Sequence, residues 1–425
     1  MVDCYPFVDL GEVVSVHIAL ITHHYEPESN APQRRWSALV PRFIAAGHRV
    51  TVFTPPPHYP SGQAGELSAA LQPGSTTIGS HGETIARVRF RPHGPDLRSR
   101  SRDQAVAAID SVWRAVRILG RPTGRPNVVI STVPGLPSIA AGWLVSKLLG
   151  ARHVVEMRDA WPDLIAASGM LQSASRRRQV ATALVARVVT RMQRSAAAVV
   201  TTTQSFAEVL RHRHVSEVAV VRNGASLDRI EPLPPRTGKL GSLHVLYAGT
   251  VGRSQGLTTA VQAAVLAERA GYLIRLRIVG SGAAETELRE LATSLRAPVD
   301  FVERVPPSEI ACHYQWADTT LVSLQDWAPF HWTVPSKVYE AIAYQRHVTG
   351  CVRGETAGII SSLGAGDVVD AGDALGLAKL WGQLASDRRR LHVGPKAREW
   401  ALKNVNFDAL AGRYLQILED AVDRA

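Results

Sequence analysis

Lys337 and Glu340 are the two residues whose types and spacing first suggest chemistry in this sequence. Pro335 and Ser336 precede them, and a proline is tolerated in the first turn of a helix, where its missing N–H group would have no partner. The pattern therefore predicts a helix start, with Lys337 and Glu340 on one face near its positive end. An ammonium group there suits a diphosphate, and the carboxylate can accept hydrogen bonds from ribose hydroxyls. A solvated ion pair without a ligand is the alternative.

Three loops in the same half of the chain have the composition of ligand-binding turns. The first, 246–257, has three glycines that let the backbone approach a phosphate, and Arg253 adds a planar set of donors. The second contains Gly280 and Gly282 in front of a predicted helix. The third, 301–306, ends another predicted strand and could hold a flat base with its backbone groups. Each loop by itself is also compatible with a tight turn.

These loops must be positioned by regular structure. The sequence predicts that strands and helices alternate along the chain. Helical stretches such as 34–46, which Gly47 ends, separate short β-branched runs. Continuous apolar strands separated by helices are typical of parallel sheets covered on both faces, and there are enough strands for two sheets. The predicted strands are 14–22, 49–54, 85–90, 127–131, 153–157, 197–201, 217–221, 243–247, 273–279, 299–302, 319–323, 347–350 and 367–369.

A proline-rich stretch at 223–241 separates the two sets of strands and is predicted to be a linker. The sequence thus predicts a disordered lead-in of 1–13, an N-terminal Rossmann-like domain of 14–222 and a C-terminal Rossmann-like domain of 242–405. The last helix, 406–425, is expected to pack back across the domain junction. Open α/β sheets bind ligands beyond the carboxyl ends of their strands. We therefore expect two doubly wound α/β domains that face each other across a cleft.

The composition bounds the class of protein. A chain of 425 residues with 45% apolar and 6% aromatic residues suits a globular protein of two or three domains. The best candidate membrane span, 136–149, is too short and contains Lys147. The first twelve residues are acidic, which argues against a signal peptide. Three scattered cysteines without metal-ligand spacing indicate a reducing compartment, so we expect a cytoplasmic protein with a peripheral place on the inner membrane face.

The net charge of +11, carried mainly by arginine, raises the question of an anionic partner. No basic stripe interleaved with aromatic residues and no zinc spacing is present, so nucleic acid is not expected. An anionic membrane surface or a phosphorylated substrate fits better. In the predicted helix 176–194, Arg187, Arg191 and Arg194 recur beside an apolar side. This helix either buries its apolar side like an ordinary domain helix or approaches anionic lipid or a polyprenyl-phosphate acceptor.

Several motifs, taken in their order along the chain, resemble those of one enzyme family. The C-terminal half has Tyr-Ala-Gly…Gln-Gly-Leu at 247–257, Val-Gly-Ser-Gly at 279–282, Phe-Val-Glu-Arg-Val-Pro at 301–306 and Pro-Ser-Lys-Val-Tyr-Glu at 335–340. The N-terminal half has Tyr-Glu-Pro-Glu at 25–28, His-Tyr-Pro-Ser-Gly at 58–62 and Glu-Met-Arg-Asp-Ala-Trp-Pro at 156–162. From about residue 14 onward the chain resembles the family 4 glycosyltransferases, in the branch of O-antigen and capsule amino-sugar transferases. The resemblance implies a retaining enzyme of the GT-B type that uses a nucleotide sugar.

The resemblance also implies how the donor would be bound. Glu340 corresponds to the second of two family glutamates, separated by seven residues, and this second glutamate holds the ribose. The first glutamate falls at Trp332, and the family's Arg and Lys of the phosphate loop fall at Thr250 and Gln255, so these usual contacts are replaced. The residues expected to bind the donor are Glu340, Lys337, Ser336, Gly252, Arg253, Gly280, Gly282, Arg304 and Val305, the last two beside the base.

The residues expected to act in catalysis are Asp159, Lys337, Arg253 and Glu28. Lys337 and Arg253 would balance the charge of the departing diphosphate. By the resemblance, Asp159 lies at the cleft, where it would orient or deprotonate the acceptor hydroxyl; a cap or turn residue before Trp161 is the alternative. Glu28, in the first strand-to-helix loop, is the second acidic candidate. No carboxylate nucleophile and no Asp-x-Asp motif is evident, so we expect front-face substitution without a metal or other cofactor.

The sequence therefore predicts a retaining glycosyltransferase. It would move a sugar from a nucleotide diphosphate donor, with a UDP-sugar expected, to a lipid-linked or soluble glycan acceptor in cell-envelope polysaccharide synthesis. A nucleotide-sugar 2-epimerase is one alternative, although it needs acid–base groups that cannot be assigned. A catalytically silent nucleotide-sugar-binding assembly subunit is the other, given the replaced family contacts. His23, His24, His58 and His81 show no metal-ligand spacing and are expected to be turn or cleft residues.

Overall fold

The computed structural model describes residues 15–28, 30–94, 96–167, 176–225, 227, 230–234, 236–237, 240–306 and 308–424. The predicted lead-in, 1–13, lies outside these residues, and the predicted linker, 223–241, lies only partly within them. Within the described residues the chain forms two sheets, each covered by helices.

The first sheet is built from residues before the predicted linker. Its strands are β1 (His17–Ile21), β2 (Arg49–Thr54), β3 (Thr76–Ile78), β4 (Thr84–Arg87), β5 (Val128–Thr132), β6 (Arg152–Met157), β7 (Ala198–Thr201) and β8 (Val218–Val220). They lie in the order β3-β4-β2-β1-β5-β6-β7-β8. Every neighbouring pair is parallel except β3 and β4. The central strands are buried along their whole length, as expected for a parallel sheet between two helical layers.

The second sheet follows the predicted linker and is parallel throughout. Its strands are β9 (Ser242–Ala248), β10 (Leu273–Val279), β11 (Val299–Val302), β12 (Thr319–Ser323), β13 (His347–Cys351) and β14 (Gly366–Val369). Their order is β11-β10-β9-β12-β13-β14. The order reverses between β9 and β12, which makes the carboxyl ends of these two strands the place where a ligand is expected.

The helices that connect these strands lie on both faces of each sheet. They are α1 (Ala31–Ala45), α2 (Leu97–Leu119), α3 (Leu136–Leu149), α4 (Asp163–Ala167), α5 (Arg176–Arg194), α6 (Gln204–His212), α7 (Leu257–Arg269), α8 (Glu285–Leu295), α9 (Ile310–Trp316), α10 (Lys337–Ala343), α11 (Glu355–Ser362), α12 (Ala374–Ser386), α13 (Pro395–Val405) and α14 (Phe407–Asp423). None of these described helices combines the length and the apolar character needed to cross a membrane.

The predicted fold class is confirmed, with two parallel-dominated α/β sheets. Each predicted strand overlaps a strand of the structure, but β3 was not predicted because its three residues are polar or exposed at the sheet edge. Helix α1 begins earlier than the predicted 34–46, since the Asn30 side chain accepts the Gln33 N–H at 2.8 Å and caps the helix at that point.

Helix α14 returns from the second sheet to the first. Its Tyr414 ring lies 5.8 Å from the Trp36 ring and 5.7 Å from the Phe43 ring, both on α1. Just before α14, Asn406 pairs with Ala225 in an isolated parallel bridge. The C-terminal helix therefore belongs to the core of the first sheet, which ties the two halves together. The domain boundaries drawn from the sequence stay a prediction.

Candidate active site

Lys337 lies against the glycine loop that follows β9. Its Nζ atom is 3.7 Å from the centre of the Tyr247 ring, at the end of β9. A Cβ atom added to Gly249 would lie 3.0 Å from the same Nζ, and Gly249 has a φ of 141°. Glycine at this position therefore leaves room for the ammonium group. The structure thus places the Lys337 ammonium group beside the 246–257 loop, one of the three loops predicted to bind a ligand.

The surroundings of Lys337 change its protonation. Burial lowers the pKa of Lys337 to about 7, and the nearby Glu340 carboxylate opposes this shift only in part. The side chain is therefore poised between its charged and neutral forms near neutral pH. A diphosphate beside Nζ would favour the charged form, because the added negative charge stabilises the ammonium group.

Glu340 lies where the two halves of the chain meet. Tyr314 Oη donates a hydrogen bond of 3.4 Å to Glu340 Oε2. Burial raises the pKa of Glu340, while Arg34, Lys337 and Tyr314 lower it in part. Arg34 belongs to α1 of the first half, so the charged groups that act on Glu340 come from both halves of the chain. One cation from each half thus stabilises the Glu340 carboxylate.

Gly280 and Gly282 are required by the packing of two loops. Gly280 has a φ of 135°, and a Cβ atom on it would lie 2.0 Å from the Gly249 carbonyl oxygen. A Cβ atom on Gly282 would lie 2.4 Å from the Val251 carbonyl oxygen. The loops are also joined by a hydrogen bond from the Val251 N–H to the Ser281 carbonyl, at 3.0 Å. The two glycines therefore have a structural role whether or not they also contact a ligand.

Gln255, where the family usually has a lysine, closes the same loop internally. Its Oε1 accepts hydrogen bonds from the Gly252 N–H and the Ser254 hydroxyl, both at 3.1 Å. The Gly252 N–H, predicted to face a phosphate, thus has a partner within the loop. Arg253 is 74% exposed and pairs with Glu287 on α8 at 2.9 Å. To reach a ligand, Arg253 must exchange this exposed ion pair, which costs little.

The other predicted donor-binding residues lie on neighbouring loops. Ser336 precedes α10, and its carbonyl accepts the N–H groups of Tyr339 and Glu340 at 3.0 and 3.2 Å. Its side chain does not cap the helix. Arg304 and Val305 follow β11; Arg304 is exposed, and Val305 packs partly buried on the core. These positions are at the carboxyl edge of the second sheet, as predicted.

Asp159 follows β6 at the carboxyl edge of the first sheet. Burial raises the pKa of Asp159, and the adjacent Arg158 opposes the shift. A carboxylate with a raised pKa is a better proton acceptor than one in water, provided that it stays ionised. The Asp159 carbonyl accepts the Trp161 N–H at 2.8 Å, so the residue also stabilises the turn. Both interpretations from the sequence therefore have a physical basis.

Glu28 is held by a set of donors around it. Its Oε1 accepts the N–H groups of His58 and Tyr59 at 2.7 and 3.0 Å, and its Oε2 faces His24 Nδ1 at 2.6 Å and Asn30 Nδ2 at 3.0 Å. Burial would raise its pKa, but the hydrogen bonds, led by that of His24, lower the pKa to about 2. Such a carboxylate is a poor general base at neutral pH. The geometry favours a positioning role for Glu28 over the predicted catalytic one.

Two family models match the chain. The Glycosyl transferase 4-like domain matches residues 30–224, and Glycosyl transferases group 1 matches residues 242–387. Together they cover both sheets except β1, and the loops described above except the one that contains Glu28. The chain is a glycosyltransferase. It belongs to the enzymes built from these two domains, and the predicted resemblance and enzyme class are confirmed.

Named relatives and solved structures agree with this assignment. The glycosyltransferase is 25% identical over 293 residues to WcaI of Escherichia coli K12, which is described as a colanic acid biosynthesis glycosyl transferase. The aligned region covers 63% of this chain and 67% of the relative. Sucrose-phosphate synthase of Thermosynechococcus elongatus has a similar fold, with a TM-score of 0.72, 18% identity, and coverage of 96% and 100%. Anabaena HepE, solved with UDP and glucose, has a TM-score of 0.65, 13% identity, and coverage of 95% and 99%. These structures confirm the GT-B fold.

Trp332 lies where the resemblance to the family leads us to expect a glutamate, and the structure shows the contacts of its indole ring. Its ring stacks on the Phe206 ring of α6, with centroids 6.2 Å apart and planes 6° from parallel. The Thr203 hydroxyl, at the cap of α6, donates to the Trp332 carbonyl. Position 332 thus joins the second half of the enzyme to the first through an aromatic contact.

Two arginines at the same junction were not predicted as site residues. Arg158 is 9% exposed, and within the described residues its Nε and Nη1 atoms have no hydrogen-bond partner. Burial lowers the pKa of Arg158; Glu156 and Asp159 oppose this, while Arg35 and Arg34 add to it. Arg34 also influences Glu340 from α1. In the sequence, the position of Arg158 next to the predicted site residue Asp159 was the feature that could have indicated this junction.

Proposed function

We propose that this glycosyltransferase moves a sugar from a nucleotide diphosphate donor, a UDP-sugar, to a lipid-linked or soluble glycan acceptor with retention of configuration. The observation that carries the proposal is Lys337 against the Gly249 loop, with Glu340 one turn further along α10. An ammonium group with a pKa of about 7 suits a diphosphate, and Glu340 suits ribose hydroxyls. The similar fold of HepE, which was solved with UDP, supports the choice of nucleotide.

The acceptor side of the proposal rests on the first half of the chain. Asp159, with its raised pKa, would orient or deprotonate the acceptor hydroxyl. Arg158 has donor atoms free for an anion among the described residues, and Arg34 lies at the same junction. These cations and Lys337 would balance the negative charge of the departing diphosphate, as front-face substitution requires. The name of the relative WcaI supports a role in envelope polysaccharide synthesis.

A membrane-facing surface is the further part of this proposal. Exposed apolar residues lie on three neighbouring helices, α2, α3 and α5. On α5, Val189 is buried, but Leu184 is 58% exposed, so the helix does not simply bury its apolar side. The other exposed apolar residues on this surface are Ile109, Trp113, Val116, Leu144, Leu148, Val180, Val185 and Val188. Such a large exposed patch marks an interaction site.

Basic residues surround this apolar surface. Arg187, Arg191 and Arg194 are exposed on α5, as are Arg117 on α2 and Lys147 on α3. Apolar side chains with cations beside them are the combination that binds to anionic lipid headgroups. We propose that α2, α3 and α5 place the enzyme on an anionic membrane, where a polyprenyl-linked acceptor would be available.

Binding and hydrolysis of nucleotide sugars test the proposed transfer. Thermal unfolding should be measured with UDP-, GDP-, dTDP- and ADP-sugars, and the proposal predicts stabilisation that grows with UDP-sugar concentration. The slow hydrolysis of that donor should be lost in Lys337→Ala and Glu340→Ala and retained in Lys403→Ala, which changes an exposed lysine on α13. Product analysis by NMR should show the donor's anomeric configuration in the transferred sugar.

Three results would overturn the proposal. If no UDP-sugar raises the unfolding temperature while another nucleotide sugar does, the choice of nucleotide is wrong. If a donor binds but is neither hydrolysed nor transferred to any acceptor, the chain is a catalytically silent binding subunit. If the donor is converted to its 2-epimer, the chain is an epimerase.

A further inference from the structure

The histidine cluster is a group of side chains in the first half, beyond the carboxyl ends of β1, β2 and β4. Its members are His23, His24, His58, His93, Glu28 and Asp103. The His58 ring lies 5.1 Å from the His23 ring and 5.6 Å from the His93 ring. The cluster was not predicted from the sequence, because loops and α2 bring together residues that are distant along the chain. None of the donor chemistry proposed above uses it.

Asp103 is the buried carboxylate of this cluster. It is fully buried, and its Oδ1 accepts the Arg91 N–H at 2.9 Å. Its Oδ2 lies 2.9 Å from His23 Nε2 and 3.9 Å from His93 Nε2. Oδ2 therefore faces two imidazole nitrogens, and among the described residues it accepts no backbone N–H group that would hold it away from an ion. A buried carboxylate is costly unless a cation or hydrogen-bond donors face it.

His58 is oriented so that one ring nitrogen stays available. Its Nδ1 lies 2.8 Å from the Pro56 carbonyl oxygen, to which it donates, and 3.4 Å from Glu28 Oε1. This fixes the tautomer with the proton on Nδ1 and leaves the lone pair on Nε2. A backbone carbonyl or carboxylate behind the imidazole is the usual arrangement behind a metal-binding histidine. His93 is held in the same way, with Nδ1 2.9 Å from the Gly94 carbonyl oxygen.

We propose that His23, His58 and Asp103 bind a transition-metal ion of the zinc type. One ligand atom from each of the three lies within 4.8 Å of the others, and all three residues are buried. Ligands at about 2.0–2.1 Å from a tetrahedral ion lie roughly 3.3 Å from each other, so small shifts of these side chains would complete the site. Two neutral imidazoles and a carboxylate suit zinc. His93, whose Nε2 atom lies 3.9 Å from Asp103 Oδ2, could supply a fourth ligand.

A second set of three residues, His24, Glu28 and His58, is less suited to the ion. Their ligand atoms also lie within 4.8 Å of one another. However, the Glu28 carboxylate already accepts hydrogen bonds from two backbone N–H groups and from the Asn30 side chain. Glu28 therefore fits a role behind His58, which it orients, while Asp103 Oδ2, on the side of His23 and His93, would bind the ion.

The proposed ion would join parts of the acceptor half that are distant in sequence. His23 follows β1, His58 follows β2, and Asp103 lies on α2. A metal ion bound by all three would fix these loops relative to α2 at the edge of the sheet where α/β enzymes bind ligands. The ion would thus stabilise the acceptor side and take no part in breaking the donor bond.

Metal titration of the tag-free chain tests this site. After removal of bound metal with a chelator, Co²⁺ should bind with about one ion per chain and give the visible spectrum of a tetrahedral cobalt–histidine site. Zn²⁺ should displace it and raise the unfolding temperature. His58→Gln and Asp103→Asn should weaken Co²⁺ binding at least tenfold, whereas His81→Gln, which changes an exposed histidine of the same half, should have no effect.

Circular dichroism of the metal-free variants separates a lost ligand from a lost fold. The proposal stands if folded His58→Gln loses Co²⁺ affinity. It is overturned if the wild-type chain gives no tetrahedral Co²⁺ spectrum, or if folded His58→Gln and Asp103→Asn bind Co²⁺ as tightly as the wild type. These outcomes do not depend on the donor or on transfer activity.

Discussion

The Lys337 ammonium nitrogen lies 3.7 Å from the centre of the Tyr247 ring, so the proposed phosphate-binding cation rests on an aromatic face. An aromatic face attracts a cation, but it replaces the hydration shell only in part. Burial consequently lowers the pKa of Lys337 to about 7, against about 10.5 in water. The charge that should hold the donor diphosphate is thus itself titratable near neutral pH.

Donor affinity should fall as the pH rises above 7. Above its pKa in the free protein, Lys337 must take up a proton to pair with a diphosphate, which weakens binding by about tenfold per pH unit. Calorimetric titration of UDP at pH 6.5, 7.5 and 8.5 should show this trend, together with proton uptake at the higher values. Lys337→Met should bind UDP weakly at all three, with a flat profile. A steep profile in Lys337→Met would assign the titration to another group.

Removing the Glu340 carboxylate should weaken binding of the nucleoside part of the donor. A hydrogen bond to a charged group contributes about 1.5–3 kcal/mol, so Glu340→Ala should raise the Kd of UDP roughly 10- to 100-fold. Tyr314→Phe, which removes only the 3.4 Å hydrogen bond to Glu340, should raise it by less than about fivefold. Inorganic diphosphate, which has no ribose, should bind wild type and Glu340→Ala alike. Equal losses for UDP and diphosphate would contradict the assignment of Glu340 to the ribose.

The fold and the donor half could be predicted because their signals are local. Apolar runs in the sequence predicted the strands, and glycines at helix ends predicted where helices stop. Lys337 and Glu340 are three residues apart, so they lie on one face of any α-helix. Arg34 and the histidine cluster could not be found in this way. Arg34 belongs to a helix of the other half, and Asp103 meets His23 only because α2 crosses the end of the first sheet.

The outcome at Gly252 shows a second limit of sequence reasoning. A glycine-rich loop presents N–H groups, but the sequence does not tell whether a side chain of the same loop accepts them. Here Gln255 accepts the Gly252 N–H. The prediction for α5 has the same limit. The sequence shows that one side of this helix is apolar, but whether that side is buried depends on what packs against it.

Trp332→Ala should destabilise the contact between the two halves. A buried Trp-to-Ala change costs about 3–5 kcal/mol, and because Trp332 is only partly buried on Phe206, we expect roughly 1–3 kcal/mol. Urea unfolding followed by fluorescence measures the change. Trp332→Phe should retain most of the stability, and Trp113→Ala, at a 57% exposed tryptophan, should change it by less than about 0.5 kcal/mol. A Trp332→Ala effect as small as that of Trp113→Ala would show that the stack contributes nothing.

Apolar and basic residues of the α2–α3–α5 surface should act together in membrane binding. Trp113→Ser with Leu184→Ser should reduce flotation with vesicles containing phosphatidylglycerol at least tenfold, since both side chains are more than half exposed. Alanine at Arg187, Arg191 and Arg194 should reduce it further and remove its dependence on salt. Leu273→Ser, at an exposed leucine on the second sheet, is the matched control. Flotation that is unchanged in the double variant would place the membrane contact elsewhere.

Asp318 should make the second half sensitive to acid. It is 5% exposed, accepts the His244 N–H at 2.8 Å, and pairs with Arg388 and Arg236. Burial would raise its pKa, but the hydrogen bonds from His244 and Arg388 lower the pKa to about 2.

Because the pKa of Asp318 is lower in the folded chain than in the unfolded one, it stabilises the fold above pH 4 and loses that effect as the pH falls toward 2. Asp318→Asn should therefore cost about 2–4 kcal/mol at pH 6, and its difference from wild type should shrink at pH 3. Urea unfolding at both pH values measures this. Asp300→Asn, whose exposed carboxylate lies 3.8 Å from Arg277, should be close to wild type at both. If Asp318→Asn lowers the free energy of unfolding equally at pH 6 and pH 3, the substitution acts through packing and the ionisation of Asp318 does not contribute.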